Sequence, residues 1–303
     1  MTETKATEPV RQLFARGREL ISPLLPKRMR AGIPIVPVVR LAGVIGMSTP
    51  LKQGLTLAGA ARVLDRAFGF KRAKAVALVL NSPGGSAVQS HLMFRRIRQL
   101  ADEKNLPVIA FVEDVAASGG YMLACAADEI VCDPSSIVGS IGVIGASFGF
   151  QEAIGRLGIE RRIYTAGERK STLDPFLPEN PEDVAHLKAI QQEIHQTFIG
   201  LVKDRRRNLS GPENTMFSGD YWTAKTALGY GLIDRIGDMR SVLRERYGKD
   251  VLTPLVQGER SWFGRPLPGV GRVDMGDMLG RAGLADELIS AVEARALWAR
   301  YGL

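Results

Sequence analysis

Short apolar runs alternate along this chain with longer stretches of helical period, and the alternation predicts repeated strand–helix units. Ile35 to Ile45 reads as a strand, Leu55 to Phe68 as a helix, and Ala75 to Leu80 as a buried strand of Val, Ala and Leu. Ala87 to Glu103 is a helix with Leu92, Ile97 and Leu100 among its apolar positions, and Pro107 to Val112 is another apolar strand. A helix follows Ser118 through Ala127, and Glu129 to Cys132 is a strand. Beyond it, Ser135 to Gly149 is Gly-, Ile-, Val- and Ser-rich and reads as strand and loop, and Ile159 to Tyr164 as a strand. Pro181 to Arg207 is a long helix, Ala224 to Gly229 a short one, and Leu284 to Tyr301 a final amphipathic helix. Strands with no polar alternation are covered on both faces, so the fold class is α/β with a largely parallel sheet.

The flanks differ from this middle. Residues 8 to 25 place Val10, Leu13, Phe14, Leu20, Ile21 and Leu24 on one helical face and arginines on the other. Such a helix packs on protein or lies peripherally on a membrane. From Leu255 to about Gly283 the Gly, Pro and Arg content rises, as in an irregular linker. The expected organisation is a basic N-terminal extension over 1–32, an α/β domain over 33–250, and a linker with a C-terminal helix over 251–303.

Composition narrows the function classes. The formal charge is +8, but the basic residues are interspersed with acidic ones and form no aromatic-interleaved stripe, so nucleic acid is not an expected partner. The most apolar early stretch, Ile33 to Met47, is interrupted by Pro34, Pro37 and Arg40, and no secretory signal is visible. The expected location is therefore cytoplasmic, at most peripheral at the inner face of the membrane. Cys125 and Cys132 sit in apolar surroundings and read as reduced, buried thiols. Asp128, Glu129 and Asp133 lack accompanying histidines, so no metal site is expected; Gly139 to Gly149 has no phosphate-loop lysine, and no cofactor is expected.

The candidate chemistry lies in three segments. Ser118 stands in Val115-Ala116-Ala117-Ser118-Gly119-Gly120-Tyr121, between a strand and a helix. Asn81-Ser82-Pro83-Gly84-Gly85-Ser86 is a glycine turn of the kind that exposes amide protons, and Lys170 lies 52 residues beyond Ser118. A serine hydroxyl needs a base. His186 and His195 fall in the long polar helix, on its expected solvated face, and His91, in a helix after the glycine turn, has no evident orienting carboxylate. A lysine serves as the base if its ammonium is desolvated.

These segments resemble the S49 peptidases, the signal peptide peptidase A family. Ala117-Ser118-Gly119-Gly120-Tyr121 with Ala126-Ala127-Asp128-Glu129-Ile130 is similar to the family's nucleophile segment. Asn81 to Gly85 resembles the oxyanion turn shared with Clp proteases and crotonase-like folds. Val138-Gly139-Ser140-Ile141-Gly142-Val143 resembles the segment whose serine hydrogen-bonds the lysine, and Lys170 with Pro175-Phe176 the segment bearing the base. Phe217-Ser218-Gly219 through Leu232-Ile233-Asp234 resembles the closing helix–strand motif.

The resemblance implies a Clp/crotonase-like α/β fold, a stacked, mostly parallel sheet wrapped by helices. It implies a serine endopeptidase acting on peptides or unfolded proteins. Ser118 would be the nucleophile, Lys170 the general base, Ser140 its orienting residue, and the amides of Gly119 and of Gly84 or Gly85 the oxyanion hole. Neither metal nor organic cofactor is implied. A ring-like homo-oligomer is implied, whose subunits enclose or jointly line the cleft. Many family members also carry an N-terminal membrane anchor that this sequence does not show. Two other functions use parts of the same pattern. A crotonase-like acyl-CoA enzyme would use Gly84 and Gly85 and need a carboxylate in place of Lys170, while a non-catalytic scaffold at the membrane face would use the N-terminal helix alone.

Overall fold

A computed structural model describes residues 32–47, 54–167, 169–257 and 291–303. The N-terminal amphipathic segment and most of the Gly/Pro-rich linker lie outside these residues.

The first strand, β1 (Val38–Ala42), is followed by α1 (Leu57–Phe68), β2 (Val76–Ser82), α2 (Ala87–Lys104), β3 (Val108–Ala117) and α3 (Gly119–Ala124). Strands β4 (Glu129–Cys132) and β5 (Ile137–Gly139) come next, then α4 (Gln151–Arg156), α5 (Pro181–Arg205), α6 (Glu213–Met216) and β6 (Tyr221–Thr223). The core ends with α7 (Ala224–Gly229), β7 (Arg235–Ile236) and α8 (Met239–Tyr247), and a further helix, α9, occupies 291–299.

The strands β1-β2-β3-β4-β7 pair in that order, all parallel. Strand β3 outruns its neighbour. Its first half pairs with β4 through Ile109 to Val112 and its second half with β5 through Val115 to Ala117, and β6 closes on β5 antiparallel. A register shift between Leu80 and Ser82 marks where β2 follows β3 through this change. The expected α/β class with a mostly parallel sheet is what the chain forms.

The period of two sorts the core. Val76, Leu78 and Leu80 of β2 face the main cluster with Leu64, Ile97 and Leu123. Ala77 and Val79 face the opposite layer with Ile109, Phe111, Val242 and Leu243. Helix starts follow their caps: Thr56 accepts from Gly59 N–H, Ser86 from Gln89 N–H, and Asn180 from Glu182 N–H ahead of Pro181. Cys125 and Cys132 are free, buried thiols, as expected, and burial pushes Cys125 up to about 12.

One expected element does not form. Residues 159 to 165 carry no strand: they pair with none of the described strands and bury no side chain that would hold them in a sheet. They belong to a segment from Gly142 to Asn180 in which no described residue is buried. The segment holds itself together locally. Phe150 packs on Phe148 and Phe176, and Arg161 lies 4.8 Å over the Phe176 ring. Hydrogen bonds from Arg161 to Asp174 also hold that carboxyl below the usual carboxylate range.

Candidate active site

The parallel strands β2 and β3 end side by side, and ligands of open α/β sheets bind beyond such carboxyl ends. The glycine turn leaves β2 there and Ser118 leaves β3. Ser118 has φ 52° and ψ −123°, a conformation unfavourable for a residue with a Cβ. It sits on a sharp strand-to-helix turn, the geometry that lifts a nucleophile clear of the sheet. Its N–H donates to the Gly139 carbonyl at 2.8 Å, and its carbonyl accepts the first helical bond, from Met122 N–H at 3.0 Å. Its hydroxyl makes no cap hydrogen bond, so the side chain is not spent on the helix. Behind it, Tyr121 is fully buried and donates through its hydroxyl to the Leu232 carbonyl at 2.6 Å, pinning α3 to the closing motif.

Glycine is required here by space as well as by φ. A Cβ on Gly119 would stand 2.2 Å from Ser90 Oγ, and one on Gly120 2.4 Å from the Ser82 carbonyl oxygen. Gly85, at φ 137°, would put a Cβ 2.2 Å from the Ile45 carbonyl oxygen. Gly85 bridges Ile45 in parallel, through bonds from Ile45 N–H to Gly84 O and from Ser86 N–H to Ile45 O. That pattern turns the Gly85 amide away from residue 45.

The two turn glycines differ. Gly84 is buried and donates its N–H to Ser82 Oγ at 3.2 Å, while the Ser82 hydroxyl donates to the Gly43 carbonyl at 2.7 Å. Gly85 is exposed, and among the described residues neither its N–H nor that of Gly119 has an acceptor. Gly119 opens α3, where the first amides have no intrahelical partner and the helix dipole places positive partial charge. Ser82, which the sequence pattern does not single out, is therefore the strut of the turn. Ser82→Ala leaves a buried N–H unsatisfied, at a cost of about 1–3 kcal/mol. If the turn carries catalytic amides, kcat should fall at least ~10-fold with KM little changed. A steady-state comparison checks this, and a shift confined to KM would assign Ser82 to binding instead.

A cleft of about 450 Å³ opens over Ser118. Ile45, Met122, Val143, Ile144, Ile194 and Phe198 make it largely apolar, and among the described lining residues there is no carboxylate. Ser140 is buried with φ 51°, and its N–H donates to the Asp220 carbonyl at 2.6 Å. Lys170 lies elsewhere, exposed on a turn in the 142–180 segment and outside the cleft lining. Among the described residues no hydrogen bond or ion pair joins its ammonium to Ser118, Ser140 or a carboxylate. The histidines also take definite places. His91 stacks on Phe94, and His195, expected on a solvated face, is half-buried with Nε2 2.9 Å from the Ile141 carbonyl oxygen. His195 thus braces the strand end that leads from Ser140 into the cleft.

A serine on a positive-φ strand-to-helix turn beside two unengaged amides, at the carboxyl ends of a parallel sheet, is an arrangement suited to a nucleophilic serine. The model of Peptidase family S49 matches residues 100–250, and the chain belongs to that family. A chloroplastic serine protease SPPA of Arabidopsis thaliana is 33% identical over 235 residues, 74% of this chain and 34% of that protein. A protein of Brucella abortus named as a Na(+)/H(+) antiporter NhaA is 54% identical over 288 residues, 94% of this chain and 39% of that protein. The chain thus spans well under half the length of these relatives. Among solved structures, a 1510-N membrane-bound stomatin-specific protease aligns with a TM-score of 0.45 and 19% identity, over 75% of this chain and 94% of that one.

Proposed function

We propose that this chain is a serine endopeptidase that cuts unstructured peptides through an acyl-enzyme on Ser118. The observation that carries the reading is the Ser118 hydroxyl, left uncommitted on a positive-φ turn beside the free amides of Gly85 and Gly119. Those amides would receive the oxyanion of the tetrahedral intermediate, an interaction typically worth about 3–4 kcal/mol. Gly84 contributes by holding the turn through Ser82 rather than by donating itself. Lys170 would take the hydroxyl proton and pass it to the leaving amine.

A lysine open to water is a poor base, so this role needs Lys170 to be covered. The 142–180 segment that carries it exposes Ile144, Phe148, Leu157, Ile159 and Tyr164, apolar surface that a second copy of the chain would bury. In a homo-oligomer the segment of one subunit would bring Lys170 to the Ser118 of the next, where Ser140 would orient it. Peripheral membrane contact through residues 8 to 25 remains part of the same proposal. Among the described residues no helix is long and apolar enough to cross a membrane. The antiporter name is that of the longer Brucella protein, of which the match spans 39%.

The absence of a carboxylate among the described cleft residues disfavours acyl-CoA chemistry, which needs one as acid and base. Rapid acid quench of an activated peptide ester, followed by peptide mapping, tests the reading. An acyl adduct on Ser118 is the expected result. Turnover with the adduct on another residue would refute it.

A further inference from the structure

The C-terminal helix supplies a wall of the Ser118 cleft that the family motifs do not include. Leu297, Arg300 and Tyr301 line the same cleft as Ser118, Gly85 and Met122. The wall is anchored to the nucleophile's own strand. Tyr301 is buried against Val115 and Ala117, with Ile137 and Trp298 beside it. The Tyr221 hydroxyl donates to the Arg300 carbonyl at 3.0 Å, and the Tyr221 and Tyr301 rings meet edge-on at 4.9 Å. Tyr221 in turn pairs with Gly139, whose carbonyl takes the Ser118 N–H. Arg300 and Ser118 are thus both referred to the β5–β6 pair.

The chemistry of this wall differs from the rest of the cleft. Among the described lining residues Arg300 is the one charged group; the others are apolar, glycine, or the hydroxyl-bearing Ser86, Ser118 and Tyr301. Arg300 is exposed, and among the described residues no carboxylate pairs with its guanidinium; its place in the cleft lining sets it apart from the other unpaired surface arginines. A guanidinium offers a planar fork that fits a carboxylate with two parallel hydrogen bonds. Apolar walls lower the local dielectric and strengthen that attraction once a peptide displaces water.

We propose that Arg300 is a specificity-determining residue, drawing a carboxylate of the bound peptide to the C-terminal wall of the cleft. A peptide offers that group as an Asp or Glu side chain or as its terminal carboxylate. The proposal rests on Ser118 marking the substrate cleft. Internally quenched peptides of one sequence test it, with Glu or Gln scanned through the positions around the cut and with the C-terminus free or amidated.

At low salt the full-length protein is expected to favour an acidic form about fivefold in kcat/KM over its neutral counterpart. R300Q should bring that ratio close to one, and R300E should invert it. The scanned pairs report the side-chain source and the amidated pair the terminal one. Anisotropy binding of the same peptides to Ser118→Ala, with and without R300Q, reads the preference without chemistry. Equal rates within every pair, or a preference that survives R300Q, overturns the role of Arg300 and leaves the nucleophile reading intact. An Arg300-dependent binding preference in a wild-type protein that cuts none of the peptides would sink the nucleophile reading instead.

Discussion

Ser118→Ala is expected to reduce hydrolysis of an unstructured peptide by roughly 10,000-fold or more while leaving the fold in place. The size follows from the step it removes. Without the hydroxyl no acyl-enzyme forms, and the amides of Gly85 and Gly119 are left to polarise a carbonyl that only water attacks. The fold should survive because the Ser118 side chain caps nothing, and its backbone bonds to Gly139 and Met122 are retained by alanine. The backbone strain at φ 52° is shared by both residues. Initial rates on a quenched peptide, alongside circular dichroism, provide the check. Wild-type turnover in the Ser118→Ala variant would remove the basis of the proposed mechanism.

Lys170→Ala should be comparably severe for turnover and nearly silent for stability. Its side chain is exposed and, among the described residues, without an ion pair, so deletion should shift stability by no more than about 0.5 kcal/mol. A large kinetic loss at such a position can come only from chemistry or from a contact made in the assembly. Mixing separates those cases. If Lys170 serves a neighbouring Ser118, subunits carrying only Ser118→Ala and only Lys170→Ala, each inactive alone, should regain about a quarter of wild-type activity after random reassembly. Lasting inactivity of the mixture, with hetero-oligomers verified, would exclude the shared site, and full activity of Lys170→Ala alone would exclude the base.

Much of the fold can be read from local pattern. The apolar runs over 76–80 in β2 and 108–112 in β3 have no polar alternation, and both are covered on two faces. Asn180-Pro181 and Ser86 mark helix starts at the positions where caps form. The serine turn is legible too, because Ser118 is flanked by Gly119 and Gly120, which leave room for Ser90 and the Ser82 carbonyl. Pattern fails where the partner is distant in sequence. Ile159 to Tyr164 has the composition of a strand but pairs with none of the described strands. His195 lies on a polar helix, yet bonds the Ile141 carbonyl, 54 residues away.

The sequence alone indicated the alternation of strands and helices and the place of the candidate nucleophile Ser118, because both are written in residues close together along the chain. Only the tertiary structure decided which glycine amides are free. That outcome depends on Ser82 bonding Gly43 and Gly84 at once, and on Ile45 pairing across the turn. It likewise decided that Arg300 and Tyr301, more than 180 residues from Ser118, stand at its cleft, since side chains that far apart meet only through packing.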